Sequence, residues 1–139
     1  MSISELVTRK LVTAAPQDSL AKVAKLMEQE NVGAVVVTQE NRPIGIVTDR
    51  DLAVAVCVRG TSPKEHVQNV ITCPVSTISQ DEGVYDATQQ LMEQAVRRLP
   101  VVDVNGDAIG IVSLDDLLLL LSRELQNMAE GIKVEAAIG

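Results

Sequence analysis

Apolar residues fall at helical spacing at Leu20, Val23, Ala24 and Met27, and then give way to a β-branched run over residues 34–38. The first pattern predicts an amphipathic helix and the second a buried strand. Pro16-Gln17-Asp18-Ser19 sets the helix start, with Asp18 or Ser19 as its cap, and the helix should stop near residues 31–33. Asn41-Arg42-Pro43 then turns the chain into a partner strand over residues 44–48. A second helix is predicted over residues 49–58, apolar at Leu52, Val54, Ala55 and Val58, with Gly60 just past its end.

The same order of patterns returns. Ser62-Pro63-Lys64-Glu65 reads as a capping box for a short connecting helix, and residues 79–82 read as another. Val84, Ala87, Thr88, Leu91 and Met92 form one helical face. Strands over residues 99–104 and 108–113 flank Asn105-Gly106, a strong hairpin turn. A Leu-rich helix follows over residues 117–128, and the residues after Gly131 read as a frayed tail.

The repetition is literal in places. Residues 44–52 read Ile-Gly-Ile-Val-Thr-Asp-Arg-Asp-Leu, and 65 positions later residues 109–117 read Ile-Gly-Ile-Val-Ser-Leu-Asp-Asp-Leu. The same offset aligns Leu26-Met27-Glu28-Gln29 with Leu91-Met92-Glu93-Gln94, and Val36-Val37 with Val101-Val102. A fixed internal period means two copies of one unit that pack on each other. The chain divides into a first repeat (1–60), a connector (61–66), a second repeat (67–123) and a helix end with a tail (124–139). Neither repeat covers both faces of its small sheet. The expected fold is therefore α/β (α+β): two pseudo-twofold-related units, sheet against sheet, with helices outside.

Composition narrows the function. At 139 residues the chain buries roughly 70% of its unfolded surface. There is no Phe or Trp and a single Tyr, so the core is aliphatic, and the methionines at helical spacing belong to it. Missing aromatics weigh against single-stranded nucleic acid. A net charge of −7 weighs against duplex DNA and anionic membranes. The leucine run at 117–121 is too short to span a bilayer. It suits the internal interface and a dimerisation surface. The N-terminus reads unlike a signal peptide, which makes the cytoplasm the default location. Cys57 and Cys73 form no CxxC pair and read as buried small hydrophobes or inert thiols. With them, His66, the single histidine, read as an exposed connector residue, makes no metal set.

Both copies of the repeated segment keep Gly, a hydroxyl and a carboxylate in register. Gly45 permits close approach to the strand backbone. Thr48 stands where strand becomes helix, where unpaired N–H groups favour an anion. Asp51, one turn in, can accept two hydrogen bonds from a vicinal diol. Ser113 and Asp116 repeat the pair. The same residues also serve as an N-cap and a first-turn charge favourable to the helix dipole, so the residues alone leave both roles open.

The chain resembles a tandem cystathionine-β-synthase (CBS) domain pair, or Bateman module, over about residues 3–123. The resemblance rests on Gly45-Ile46-Val47-Thr48-Asp49-Arg50-Asp51 and Gly110-Ile111-Val112-Ser113-Leu114-Asp115-Asp116, supported by Arg97-Arg98-Leu99-Pro100-Val101-Val102-Asp103. It implies that Thr48 and Ser113 contact phosphate, helped by Arg50 and Arg98, and that Asp51 and Asp116 hold ribose hydroxyls. It implies an aliphatic adenine pocket at Val12, Thr13, Ala14, Ala34 and Val35 in one repeat and Val75, Thr77, Ile78, Leu99 and Pro100 in the other. Two departures stand out. Gly33-Ala34-Val35 takes the place of Arg98-Leu99-Pro100, and Arg50 has Asp115 as its counterpart. The implied function is a non-catalytic sensor of AMP, ADP, ATP, NAD or S-adenosylmethionine, with Mg²⁺ accompanying a triphosphate. It would work as a homodimer that signals to an effector protein in trans. The alternative is a scaffold with vestigial clefts.

Overall fold

Ser19 starts helix α1 (Leu20–Glu30), its side chain accepting from Lys22 N. Asp18 accepts from Ala15 N and pairs with Lys22. Carbonyls of the connector take two of the helix's otherwise unpaired donors, Leu20 N bonding Glu65 O and Ala21 N bonding Pro63 O. The helix ends at Asn31, which adopts the left-handed conformation (φ 53°) that asparagine tolerates. This computed structural model describes residues 3–7, 11–71 and 76–138; Cys73 and Val75 lie outside them.

Strand β2 (Ala34–Gln39) folds back into β3 (Arg42–Thr48) through Glu40 and Asn41, both at positive φ. Positive φ at both turn positions is the tight two-residue hairpin. The turn therefore comes before Arg42-Pro43, and those residues belong to β3. Pro43 is tolerated because β3 is an edge strand. Helix α2 (Asp49–Ala53) widens to π spacing over Val54–Val58, where Arg59 N bonds Val54 O. The second unit comprises α3 (Val84–Gln94), β5 (Arg98–Val102), β6 (Ala108–Ser113) and α4 (Leu114–Ile138). Two-residue strands too short to show a period, β1 (Thr13–Ala14) and β4 (Ile78–Ser79), add parallel edges to β2 and β5. Each sheet thus has three strands, in the orders β1-β2-β3 and β4-β5-β6.

One face of each sheet carries a core. Val35, Val37 and Val47 pack with Leu20, Val23, Met27, Leu52 and Ala55. Leu99, Val101 and Val112 pack with Ala87, Leu91 and Leu117. The sheets meet through β2 with β6 and β3 with β5, the cross-pairing that a twofold relation produces. Ala108 N donates to Asn41 O where the two hairpins touch. The units also exchange segments. Ile3, in a 3₁₀ turn (Ile3–Leu6), is buried in the second core, and Val67 of the connector region is buried in the first.

Several sequence expectations need correction. The equivalent helices, caps and central strands are 64 residues apart, because α1 matches α3 and Val36↔Ile46 matches Pro100↔Ile111. Only β3 and α2 keep the 65-residue offset to β6 and α4. The extra residue sits in the second hairpin, where Asp103 N bonds Asp107 O around Gly106. The Leu-Met-Glu-Gln match is thus one position out of register. Met27 and Leu91 are the buried equivalents, and Met92 is 73% exposed. Met128 and Val58 are exposed as well.

Neither the motif at residues 62–65 nor that at 79–82 opens as a capping box. Residues 62–65 form a turn, with Lys64 N on Ser62 Oγ, and a 3₁₀ turn follows at Val67–Asn69. Ser79 belongs to β4, and Gly83 caps α3 without a side-chain bond. The tail after Gly131 is helical through Ile138. Within the leucine run, Leu117 is buried while Leu118, Leu119 and Leu121 are exposed. Cys57 is an exposed thiol, and His66 is exposed. No helix among the described residues is long and apolar enough to cross a membrane.

Candidate functional site

β3 and β6 deliver Thr48 and Ser113 to the starts of α2 and α4. Thr48 has extended backbone (φ −110°, ψ 164°), which sets its hydroxyl over the helix start. Its Oγ1 accepts from Asp51 N at 3.2 Å, and Asp51 Oδ2 accepts from Thr48 N at 2.9 Å. In the second repeat, Ser113 Oγ accepts from Asp116 N at 3.1 Å, and Asp116 Oδ2 accepts from Ser113 N at 3.3 Å. Both pairs are reciprocal capping boxes. The capping role left open by the residues is therefore realised. Each box uses one carboxylate oxygen, and Oδ1 of Asp51 and of Asp116 has no partner among the described residues.

The glycines of the motif are explained by packing between segments. A Cβ on Gly45 would lie 2.6 Å from Ile71 Cδ1, and one on Gly110 would overlap Val7 Cγ1. The close approach read for Gly45 is thus made by the chain itself, through Ile71 just past the connector. Its counterpart in the second repeat is made by the N-terminal segment.

The two turns differ in how their first donors are filled. Asp49 N bonds Gly33 O and Leu114 N bonds Arg97 O, so the first position is equivalent. At the second position, Arg50 N bonds Asp49 Oδ1 at 2.8 Å. Leu114 offers no such oxygen, and Asp115 N has no protein acceptor among the described residues. Asp49 therefore places its own carboxylate at the α2 start, where an anionic ligand would otherwise sit. Sequence reasoning passed over Asp49, although its replacement by leucine in the second copy was the available signal.

The cations follow the same asymmetry. Arg97 pairs with Asp115 at 3.5 Å, which neutralises the charge reversal opposite Arg50. Arg98 is half-buried at the start of β5, directly across from Ser113, and its guanidinium has no partner among the described residues. Ala34 holds that place opposite Thr48. Arg50 is exposed and its guanidinium is likewise unpaired.

The structure divides the residues expected around adenine. Ala14, Val35, Ile78, Leu99 and Pro100 are buried, four of them in the two cores. Their side chains hold the fold together. Val12, Ala34 and Thr77 are half-buried and Thr13 is exposed, so these four remain accessible. Gln90 Nε2 occupies the Thr77 carbonyl at 2.6 Å. Thr13 also lines a cavity of about 360 Å³ between Leu11 and Thr38 on one side and Asp103, Asp107 and Ile109 on the other. None of Thr48, Asp51, Ser113 and Asp116 lines it. Its two aspartates disfavour phosphate there, so it is distinct from the motif turns. Among the described residues, no three His, Cys, Asp or Glu side chains gather as a metal site.

Comparison with known proteins bears on the fold. The family model described as CBS domain matches residues 3–57 and 67–123. An uncharacterized protein of Methanopyrus kandleri is 36% identical over 120 residues, which span 85% of this chain and 61% of that protein. The CBS domain-containing protein YhcV of Bacillus subtilis is 33% identical, over 84% of this chain and 82% of its own. Among solved structures, a CBS domain protein from Pyrobaculum aerophilum complexed with AMP superposes with a TM-score of 0.77 at 25% identity, covering 88% of this chain and 99% of its own.

Proposed function

The chain belongs to the CBS domain family, and from that premise we propose that it is a non-catalytic regulatory module that binds an adenosine-type ligand. The ligand is AMP, ADP, ATP, NAD or S-adenosylmethionine, and AMP leads because the Pyrobaculum aerophilum relative was solved with it. Mg²⁺ enters only as a companion of a triphosphate. Ligand binding shifts the packing of the two repeats by its differential affinity for their arrangements, and an effector protein reads that shift.

The second turn is the principal phosphate site. The observation that carries this ranking is the Asp115 N–H beside Ser113, unfilled among the described residues, with the Arg98 guanidinium likewise unpaired there across the strand pair. Asp116 Oδ1 is the ribose acceptor there. The first turn, with Asp49 on its own helix start, is the weaker site for phosphate and relies on Asp51 and Arg50.

Both motif pairs form complete helix-capping boxes, and that favours a second reading, a scaffold with vestigial clefts. A thermal-shift panel of the five ligands separates the two. Saturation at 100 times the dissociation constant adds about 2.7 kcal/mol, a rise of several degrees. A rise with at least one ligand supports the sensor. An unchanged melting temperature with all five leaves the scaffold.

A further inference from the structure

The two motif turns keep the same diol acceptor but differ in the charge beside it. Gly33 and Ala34 stand in the places of Arg97 and Arg98, and Asp49 and Arg50 in those of Leu114 and Asp115. The first turn therefore sets Asp49 and Asp51 against Arg50, and negative charge remains in excess. In the second turn Asp115 and Asp116 are balanced by Arg97 and Arg98. Asp49 is exposed, yet its carboxylate is held from two sides. Its Oδ1 accepts from Arg50 N at 2.8 Å, and its Oδ2 lies over Gly33, where a Cβ would come within 3.3 Å. It thus sits beside the entry to β2, the counterpart of the strand entry that carries Arg98.

We propose that the first cleft takes adenosine ligands whose 5′ substituent is neutral or cationic, such as a thioether or a sulfonium, and that Asp49 sets this preference. The proposal rests on the adenosine reading above and assigns the two clefts to different ligand classes. A phosphate at the first turn would meet a fixed carboxylate of like charge. It would also find the Arg50 N–H already filled, whereas the matching Asp115 N–H has no acceptor among the described residues. A sulfonium would gain the Asp49 carboxylate as a partner, and a thioether would meet no repulsion. The ribose half of the cleft is unaffected, because Thr48 and Asp51 form the same reciprocal box as Ser113 and Asp116.

Calorimetric titration with AMP and with 5′-methylthioadenosine tests the proposal in Asp116→Asn, which confines ribose binding to the first cleft. The two probes share adenosine and differ in the 5′ group. 5′-Methylthioadenosine is expected to bind this chain about tenfold tighter than AMP. Adding Asp49→Leu, which copies Leu114, is expected to raise AMP affinity about tenfold and leave 5′-methylthioadenosine unchanged. Asp49 is exposed, so the fold is preserved in that variant. AMP bound as tightly as 5′-methylthioadenosine in Asp116→Asn, or AMP affinity unmoved by Asp49→Leu, would overturn the proposal and leave the adenosine reading standing. So would loss of both probes in Asp116→Asn while wild type binds them. Failure of wild type to bind either probe would remove the adenosine reading for both, and the proposal with it.

Discussion

Arg98 stands directly across the β5–β6 pair from Ser113, whereas Ala34 stands across from Thr48. The strand register thus gives one motif turn a cation and denies it to the other. Replacing Arg98 with alanine should weaken binding of a phosphate-bearing ligand while leaving adenosine binding nearly unchanged. A half-exposed charge-assisted hydrogen bond is worth about tenfold in affinity, or about 1.4 kcal/mol. Calorimetric titration with AMP and with adenosine measures the difference, and an equal loss for both ligands would remove Arg98 from the phosphate site.

Gly110 is held without a side chain by Val7 of the N-terminal segment. Gly110→Ala forces a methyl group against a stiff β-branched side chain and should cost about 1–3 kcal/mol. The melting temperature should fall by several degrees, and Val7→Ala in the same chain should recover part of the loss. Absence of recovery would show that the clash is relieved elsewhere.

Much of this architecture is legible in the sequence because both repeats are amphipathic and their turns carry Gly, Asn and Pro at the required places. The strand-to-helix turn at Thr48 falls where the pattern puts it, while α4 begins at Leu114, three residues before the leucine-rich stretch. The register between repeats does not follow the pattern, because identity at Leu91-Met92 favours an offset that burial contradicts. A one-residue insertion in the Asp103–Asp107 turn leaves no hydrophobic mark, while it shifts the equivalent of Met27 from Met92 to Leu91. The same slip hid Ala34 as the true counterpart of Arg98. Asp49 went unnoticed for another reason. Its bond to Arg50 N is local geometry, invisible to periodicity and detectable only by comparing the two copies.

Ala95 ends α3 in the left-handed conformation (φ 53°), the place Asn31 holds after α1. A Cβ in that conformation costs about 1–2 kcal/mol, and asparagine offsets part of it with its short polar side chain. Ala95→Asn, which copies the first repeat, should stabilise by something under about 1 kcal/mol. Chemical denaturation should show a higher midpoint at unchanged slope.

Burial at Asp18 acts to raise its pKa, but the bonds from Ala15 N and Lys22, with the Lys22 charge, outweigh it and hold the carboxyl below its ordinary value. A depressed folded pKa gives stability that is present above the unfolded value, about 3.9 for aspartate, and is lost as pH falls through the folded value. Asp18→Asn should therefore melt lower than wild type at neutral pH. The gap should close as the pH drops below that unfolded value. A gap independent of pH would mean that the charge contributes nothing.

In the proposed function, two carboxylates already used as helix caps also hold the ribose of an adenosine ligand. Asp51→Asn/Asp116→Asn tests it most directly, because an amide oxygen can still accept from Thr48 N and Ser113 N while half of the carboxylate's acceptor capacity is gone. AMP titrated calorimetrically into wild type and this double variant, each with its apo melting temperature recorded, is the decisive measurement. AMP is expected to bind wild type, and the double variant to keep its apo stability while its AMP heat collapses. Equal AMP affinity in the two proteins, at equal stability, would contradict it and leave Asp51 and Asp116 as caps alone.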